Sequence, residues 1–563
     1  MKHIIYRQLK RGDRFILRLL SAYRGLAFRH VGDWRLLHTP KFKALLEKIK
    51  RDNAINVDDI LPFMGSENLK DRLWFNLKLA EASYNIGNLE QAKVFAKRVW
   101  LFSNGDERYL PMFVKIHAAC GDIDSIREAH KILGLRKAEI GKISEALRHF
   151  NDWQYAYAVH RKTDEYHYDL DVLSRISSLA KPHAFFSEKP LARQNGKIRL
   201  AHLMFGLTHA NSVIVEISLL FAKYHDASRF DVTFYVPEQS SEIRGNPEAL
   251  KNIGAIRSCG WNVVMAPSLT SSENSLIELA KSIHDANTDI LVTSAALADF
   301  RHYFIASLRP APIVIGLCQG PAPQYIAPDF QWSISWFKIL IPDCPVNCSF
   351  VNLRLDLPER KLSRTEAKSL FGISEQKLVL MTAGRPAKLQ DLDFLKALTD
   401  IVSRRDDAYL VIVGLGELPL ALREEMNPDI LDRVKVFGWV KNFIDVLSMA
   451  DVVVDTYPSG GGVLIKDAAA LGTPVVSFKH DYMKTFSQKE CSAAEEVIGI
   501  PELVLERGEF SALKTVLSNL FTDDVYREKL GELCKVRVHE TSGNSRRMIE
   551  DCENVFASVI NGN

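Results

Sequence analysis

The 563-residue chain predicts an α/β protein, two successive parallel α/β units behind an all-α front. Three observations lead there. Asn53 to Ala180 carries helical periodicity with short turns and little strand signal. Lys181 to Lys197 holds prolines and polar residues without a helical period, as a linker does. Beyond it, short apolar runs alternate with helical patterns, which is the texture of βαβ units. The expected division is 1–52 (basic amphipathic helices), 53–180 (helical repeats), 181–196 (linker), 197–355 and 356–540 (the two α/β lobes) and 541–563 (a terminal helix).

The amino-terminal stretch from Met1 to Arg35 has nine Lys and Arg against two Asp, a local charge of +7. Arg7, Arg11, Arg14 and Arg18 fall on one helical stripe, with Ile5, Leu9, Ile16, Leu19, Leu20 and Tyr23 on the other side. Such a helix can lie on an anionic membrane, and it can equally be a packed helix with a solvated basic face. "FILRLL" is interrupted by Arg18 and too short for a signal-peptide core, and no run of 18 apolar residues occurs. The eight cysteines are scattered, as suits a reducing compartment. Cys344 and Cys348 have no second pair or His cluster beside them, so no zinc site is expected there. The expected location is the cytoplasm, with peripheral contact at the inner face of the membrane as an option. The net charge of +3 gives no reason to expect nucleic acid.

In the helical front, "LAEASYNIGNLEQAKVFAKRVW", "FVKIHAACGDIDSIREAHKILG" and "ISEALRHFNDWQYAYAVHRKTD" resemble one another. Gly87 and Gly121 are separated by the tetratricopeptide period, and Asn151 stands where a third turn is expected. Stacked hairpins of this kind either form a binding groove or serve as a structural layer.

Strands are expected in the first lobe at "IRLAHLMF", "FDVTFYV", "WNVVMA", "DILVTSA" and "PIVIGLC". The second lobe offers "KLVLMTAG", "AYLVIVG", "VKVFGW", "DVVVDT" and "PVVSF". If these strands are parallel, their carboxyl ends share one rim, where ligands of such sheets bind. Gly384, Arg385 and Lys388 follow one strand; Gly414, Gly416 and Glu417 follow the next; Val440 follows a third; Gly460, Gly461 and Gly462 follow the fourth. Two cations three residues apart suit a diphosphate, Arg as a fork and Lys as a point charge. A helix starting near Gly462 offers N–H groups and a positive dipole end. Asp467, a turn further on, suits the hydroxyls of a ribose, and the backbone at Val440 a base edge. Singly each feature has a plainer reading: a tight turn, a solvated cation, a helix-surface charge beside Lys466. Together they describe a nucleoside diphosphate, and the glycines let its phosphates approach.

At these residues the chain resembles metal-independent, nucleotide-sugar glycosyltransferases of the GT-B fold. "LRPAPIVIGLCQGPAPQYIAPDFQWSISW" (308–336) and "KDAAALGTPVV" are similar to segments of the protein O-GlcNAc transferase family, which also includes bacterial adhesin and flagellin glycosyltransferases. The resemblance implies a GT-B pair of Rossmann-like domains preceded by an all-α tetratricopeptide-like domain, covering about 197–540 and, loosely, the helical front. It implies that Asp467 holds the donor ribose and Lys388 the diphosphate. His209, in "MFGLTHANS", sits near the family's acceptor-side histidine, offset by one residue, and is the candidate base. Gln319 is placed on the acceptor or sugar side. The chain departs from the family's His-Thr-Thr ahead of the helix, which is Gly461, Gly462 and Val463 here. Arg385 ahead of Lys388 looks more like the G-R-x-x-K of polysaccharide-building GT-B enzymes.

The expected activity is transfer of a hexose or N-acetylhexosamine from a nucleotide sugar, UDP-linked by resemblance, to a protein held by the helical repeats. No metal or other cofactor is expected. The alternatives are a lipid-linked or surface-polysaccharide acceptor, favoured by the basic amino terminus, and a non-catalytic scaffold with decayed transferase lobes, favoured by the missing His-Thr-Thr.

Overall fold

The computed structural model describes residues 40–52, 69–160, 169–185, 196–204, 206–207, 213–269, 272–294, 299–319, 329–335, 347–389, 391–458, 460–479 and 492–560. The basic segment 1–35, His209 and Cys344 lie outside them. The chain forms two compact units, dividing after Arg161.

The first unit is helical: α1 (Pro40–Asp52), α2 (Leu69–Asn85), α3 (Leu89–Phe102), α4 (Leu110–Ala119), α5 (Ile123–Glu139) and α6 (Ile143–His160). Two of its turns combine a glycine at positive φ with the start of a helix. Gly87 (φ 82) precedes Asn88, which caps α3 by accepting from the Gln91 N–H at 3.2 Å. Gly121 (φ 68) precedes Asp122, which caps α5 through the Ser125 N–H at 3.2 Å. Trp74, Phe75, Leu79, Phe95, Leu110 and Phe113 share one buried core.

The expected third turn at Asn151 is not there. Asn151 lies inside α6, and the turn is at Gly141 (φ 73), one helix earlier. The helical pattern runs unbroken through Asn151 and on to His160, and the turn that separates the two helices is already made at Gly141. At Gly134 a methyl group would meet the Phe150 ring at 2.5 Å, so glycine is what lets α5 approach α6 closely.

The second unit begins with α7 (Leu170–Ala180), which packs on α9 (Phe300–Ser307) through the Ser177 Oγ–Tyr303 hydroxyl contact of 3.0 Å. The sequence places α7 at the end of the repeat region; its partner is a helix of the first sheet, so the compact division falls earlier.

That sheet contains β1 (Ile198–Leu203), β2 (Phe230–Gln239), β3 (Asn262–Ala266), β4 (Ile290–Ser294), β5 (Ile313–Gln319), β6 (Phe330–Ser335) and β7 (Asn347–Asn352). Its order is β3-β2-β1-β4-β5-β6-β7. The second sheet contains β8 (Leu378–Ala383), β9 (Ala408–Val413), β10 (Val434–Phe437), β11 (Val452–Val454), β12 (Val475–Phe478) and β13 (Val504–Leu505), in the order β10-β9-β8-β11-β12-β13. Its ladders are parallel throughout. Central parallel strands are covered on both faces and so read as unbroken apolar runs: Leu410, Val411, Ile412, Val452, Val453 and Val454 are all fully buried.

The pair of parallel sheets with flanking helices is a GT-B-type architecture. α8 (Val213–Tyr224) lies on the first sheet and α10 (Gly462–Ala470) on the second. The last two helices divide between them. α11 (Asp524–Thr541) packs on α10, whereas α12 (Ser545–Ile560) crosses back and buries Met548, Ile549, Cys552 and Phe556 in the first sheet's core. Glu553 fastens it there, accepting from the Asp226 N–H at 2.7 Å and contacting His225 Nδ1 at 2.9 Å. No helix among the described residues is long and apolar enough to cross a membrane.

Candidate functional site

Parallel pairing places the carboxyl ends of β8, β9, β10 and β11 along one edge, with the residues that follow them as neighbours. After β8 a short 3-10 turn (Pro386–Lys388) folds Lys388 back over the glycine loop that follows β11. Its Nζ donates to the Gly460 carbonyl. A methyl built on Gly461 would stand 3.7 Å from that nitrogen. The structure thus brings together Lys388, Gly460, Gly461 and Gly462, which are 72 residues apart in sequence at the Lys388–Gly460 contact. Arg385 is exposed at the start of the same turn.

The glycine loop is less bare than its sequence suggests. Asp455, fully buried after β11, accepts from the Gly461 N–H through both oxygens at 2.8 and 3.1 Å, and from the Thr456 N–H at 2.8 Å. Ser477 Oγ donates to its Oδ2 at 3.1 Å. The expectation of an unengaged backbone is corrected at Gly461, whose N–H is spent on this internal carboxylate. Gly461 is the N-cap of α10, and no side chain caps the first turn. That end keeps the dipole and the donors of an anion site, held in shape from behind by Asp455.

Asp467 lies on α10 and is nearly covered, 8% exposed. It is therefore not a helix-surface charge. Lys466 Nζ stands 2.9 Å from its Oδ1 and donates to the Asp356 carbonyl at 2.9 Å. Burial pushes the Asp467 carboxyl up, and the Lys466 ammonium opposes that shift. Asp356 lies in the segment joining the two sheets; its carboxylate accepts from Lys223 of α8 at 3.1 Å and from Ser545 of α12. Glu216, also on α8, faces this group: burial raises its carboxyl, Lys466 opposes, and Asp467 and Asp356 add to the rise. A buried carboxylate on α10 is thus wired to the segment between the lobes.

Two of the strand-end glycines have a different reason. A methyl on Gly414 (φ 110) would sit 1.8 Å from the Gly384 carbonyl oxygen, and one on Gly384 would sit 2.6 Å from the Thr456 methyl. These glycines let adjacent strand ends close together. Gly416 and Glu417 are exposed beyond them. Val440 follows β10 on the same edge, beside Trp439, whose ring is 73% exposed. Gln319 ends β5 of the first sheet; its side chain, like the whole of His209, lies outside the described residues.

Sequence reasoning missed Asp455, Trp439 and Glu216. Asp455 was visible as the polar residue closing an apolar run, and Trp439 as a large apolar side chain at a strand end. Glu216 had no local signal, because its partners come from the other sheet. A cavity of about 240 Å³ lined by Arg364, Asp451, Gly472, Arg527, Glu532 and Lys535 lies at the amino ends of β11 and β12, opposite this rim.

Comparison with known proteins agrees with this geometry. Residues 377–517 match the family described as "Glycosyl transferases group 1". That span starts at β8 and takes in the cation turn, the glycine loop and α10, so the second lobe is a glycosyltransferase lobe of group 1 type. A GDP-mannose-dependent monoacylated alpha-(1-6)-phosphatidylinositol monomannoside mannosyltransferase of Corynebacterium glutamicum is 25% identical over 194 residues. That alignment covers 34% of this chain, and the chain spans about half the length (50%) of that curated relative. Among solved structures, a mutant O-GlcNAc transferase of Thermobaculum terrenum aligns with a TM-score of 0.52 at 15% identity, over 88% of this chain and 98% of its own. At that identity the likeness concerns the fold. An Anabaena protein in complex with UDP and glucose aligns with a TM-score of 0.45 at 12% identity, over 64% of this chain and all of its own.

Proposed function

We propose that the protein transfers a hexose or N-acetylhexosamine from a nucleotide sugar without help from a metal. The observation that carries this reading is Lys388 Nζ folded over the Gly460–Gly462 loop at the uncapped start of α10. As the acceptor attacks the anomeric carbon, negative charge grows on the departing diphosphate. Lys388 and the helix terminus would be donors set where that charge develops, with the exposed Arg385 able to join them, and preorganised charge is the form of stabilisation that costs least during reaction. Asp467 receives the ribose hydroxyls, giving up part of its contact with Lys466. Val440 and the exposed Trp439 offer backbone and ring to the base. His209 is the candidate base and Gln319 an acceptor-side contact, both at carboxyl ends of the first lobe's sequence pattern.

UDP is the proposed nucleotide and a protein, held by the helical unit, the proposed acceptor. A second reading takes a lipid-linked acceptor at the membrane; the similarity to a mannosyltransferase named for a phosphatidylinositol mannoside favours it, together with the basic segment 1–35. The first experiment is thermal stabilisation by UDP, GDP, CMP and their sugar conjugates. A ligand at 100 times its Kd adds about 2.7 kcal/mol, a shift of roughly a few degrees. Stabilisation of wild type by one nucleotide, lost in Lys388→Ala and Asp467→Ala, supports the donor site. No response to any nucleotide returns the chain to the scaffold reading. Deleting residues 1–35 and following the membrane fraction separates the two acceptor classes.

A further inference from the structure

We infer that the helical unit binds a divalent first-row transition cation, zinc by the chemistry of its ligands, between His130, His149 and Asp152. His130 comes from α5, and His149 and Asp152 come from α6, three residues apart and so on one face. The two Nδ1 atoms are 3.2 Å apart, and Asp152 Oδ2 is 3.6 Å from His130 Nδ1. Ligand atoms of all three lie within 4.8 Å of one another. A tetrahedral zinc with bonds of about 2.0–2.1 Å separates its ligand atoms by roughly 3.3–3.4 Å, so the observed spacings bracket that edge.

The surroundings fit a held ion. Both rings are fully buried, while the Asp152 side chain keeps 21% exposure and opens a path from solvent. Glu107 Oε1 lies 3.2 Å from His149 Nε2; with the proton on Nε2, the lone pair on Nδ1 faces His130. Carboxylate behind histidine is the usual support of a metal-bound imidazole. Glu107 also takes Arg148 at 2.7 Å and Lys137 at 2.8 Å, and Glu145 pairs with Lys137 as well, so both nearby cations are ion-paired. Gly134, one turn beyond His130, admits the Phe150 ring beside His149 and brings the helices close enough for both rings to meet.

Without a cation the cluster is costly. The Asp152 carboxylate, largely covered, stands 3.6 Å from the His130 ring, and both imidazoles are fully buried. An ion offsets the buried carboxylate and uses two neutral imidazoles. The competing arrangement is a neutral pair in which His130 Nδ1–H donates to His149 Nδ1. This site is independent of the donor chemistry and would clamp the α5–α6 hairpin.

The test uses the full chain, stripped by chelator and dialysed against zinc, with metal content measured on folded protein. One retained equivalent is expected, a cobalt(II) form should show the visible absorption of a tetrahedral site, and zinc should raise the melting temperature. His149→Gln and Asp152→Asn should lose the equivalent, and Glu107→Gln should weaken affinity about 10–100-fold. Far-ultraviolet circular dichroism checks that each variant is folded. Wild type retaining no zinc, or both ligand variants retaining it equally, overturns the proposal and leaves the neutral histidine pair.

Discussion

Two glycine-bearing regions end strands of the second sheet, and their surroundings differ. At Gly384 and Gly414 a side chain has nowhere to go: backbone stands 1.8 Å from the missing Cβ of Gly414. At Gly461 the nearest atoms to a missing Cβ are 3.7 Å away, an ordinary contact distance, and one of them is Lys388 Nζ. The first region needs glycine so that the protein can pack. The second has no such need from its own neighbours, so its glycine is left for something outside the protein to explain. The same sequence signal therefore has two physical causes, and substitution separates them.

The largest effect is expected at Gly414→Ala. A side chain at φ 110 against a carbonyl combines backbone strain with a clash, and the loss should reach about 4 kcal/mol or more in urea denaturation. Wild-type stability in that variant would remove the packing explanation. Next comes Lys388→Ala, where loss of a charged donor to phosphate costs about 1.5–3 kcal/mol, roughly a 10–100-fold rise in nucleotide Kd by calorimetry. Its fold should be unchanged, since Lys388 is partly exposed and contacts a carbonyl at the rim.

Gly461→Ala sharpens the contrast further. Stability should stay within about 0.5 kcal/mol, because φ −135 suits any residue and the methyl has room. Nucleotide affinity should nevertheless fall about tenfold, or about 1.4 kcal/mol, as the methyl stands where a phosphate must come. Unchanged affinity would mean that the loop does not receive the diphosphate.

The smallest effect extends the comparison to the first lobe, where buried histidines mark the demands of packing. His302 is fully buried, and burial pushes its imidazole down to about 4, against a partial opposing pull from Asp299. The unfolded chain takes up that proton near 6.5 while the folded chain does not. Stability is therefore whole above pH 6.5 and falls as pH drops toward 4, by about 1.4 kcal/mol per unit from this group. Urea midpoints at pH 7.5 and 5.5 (settings of roughly one unit either side of that value) should show it, and a His302→Gln variant should reduce the difference, the other buried histidines keeping the rest.

The ten strands expected from apolar runs all formed; the central ones must be apolar on both faces and announce themselves, and the edge strands β3 and β10 carry Val-rich runs. β6, β7 and β13 were not legible. "FQWSIS" and "NCSFVN" mix polar with apolar residues and form no unbroken apolar run, and β13 is two residues long; their pairing comes from neighbours already in the sheet. The turn expected at Asn151 failed because a repeat period says only where a turn would be convenient, whereas the chain had already turned at Gly141 and the helical pattern continues to His160.

From the sequence alone came the parallel α/β lobes, the rim they share, and the residue types gathered on it: Lys388, Arg385, the three glycines and Asp467. These follow from local rules, since strand, loop and helix each leave a pattern within a dozen residues. Tertiary structure alone decided which glycines pack and which stay open, that Asp455 holds the loop from behind, that Asp467 is paired with Lys466 beside the segment joining the lobes, and that His130 meets His149. Each depends on atoms brought within 4 Å by the closed fold: Gly414 meets Gly384 and His130 meets His149 across separate elements, while Asp455 reaches Gly461 only because the loop turns back on it, and no local pattern states those distances.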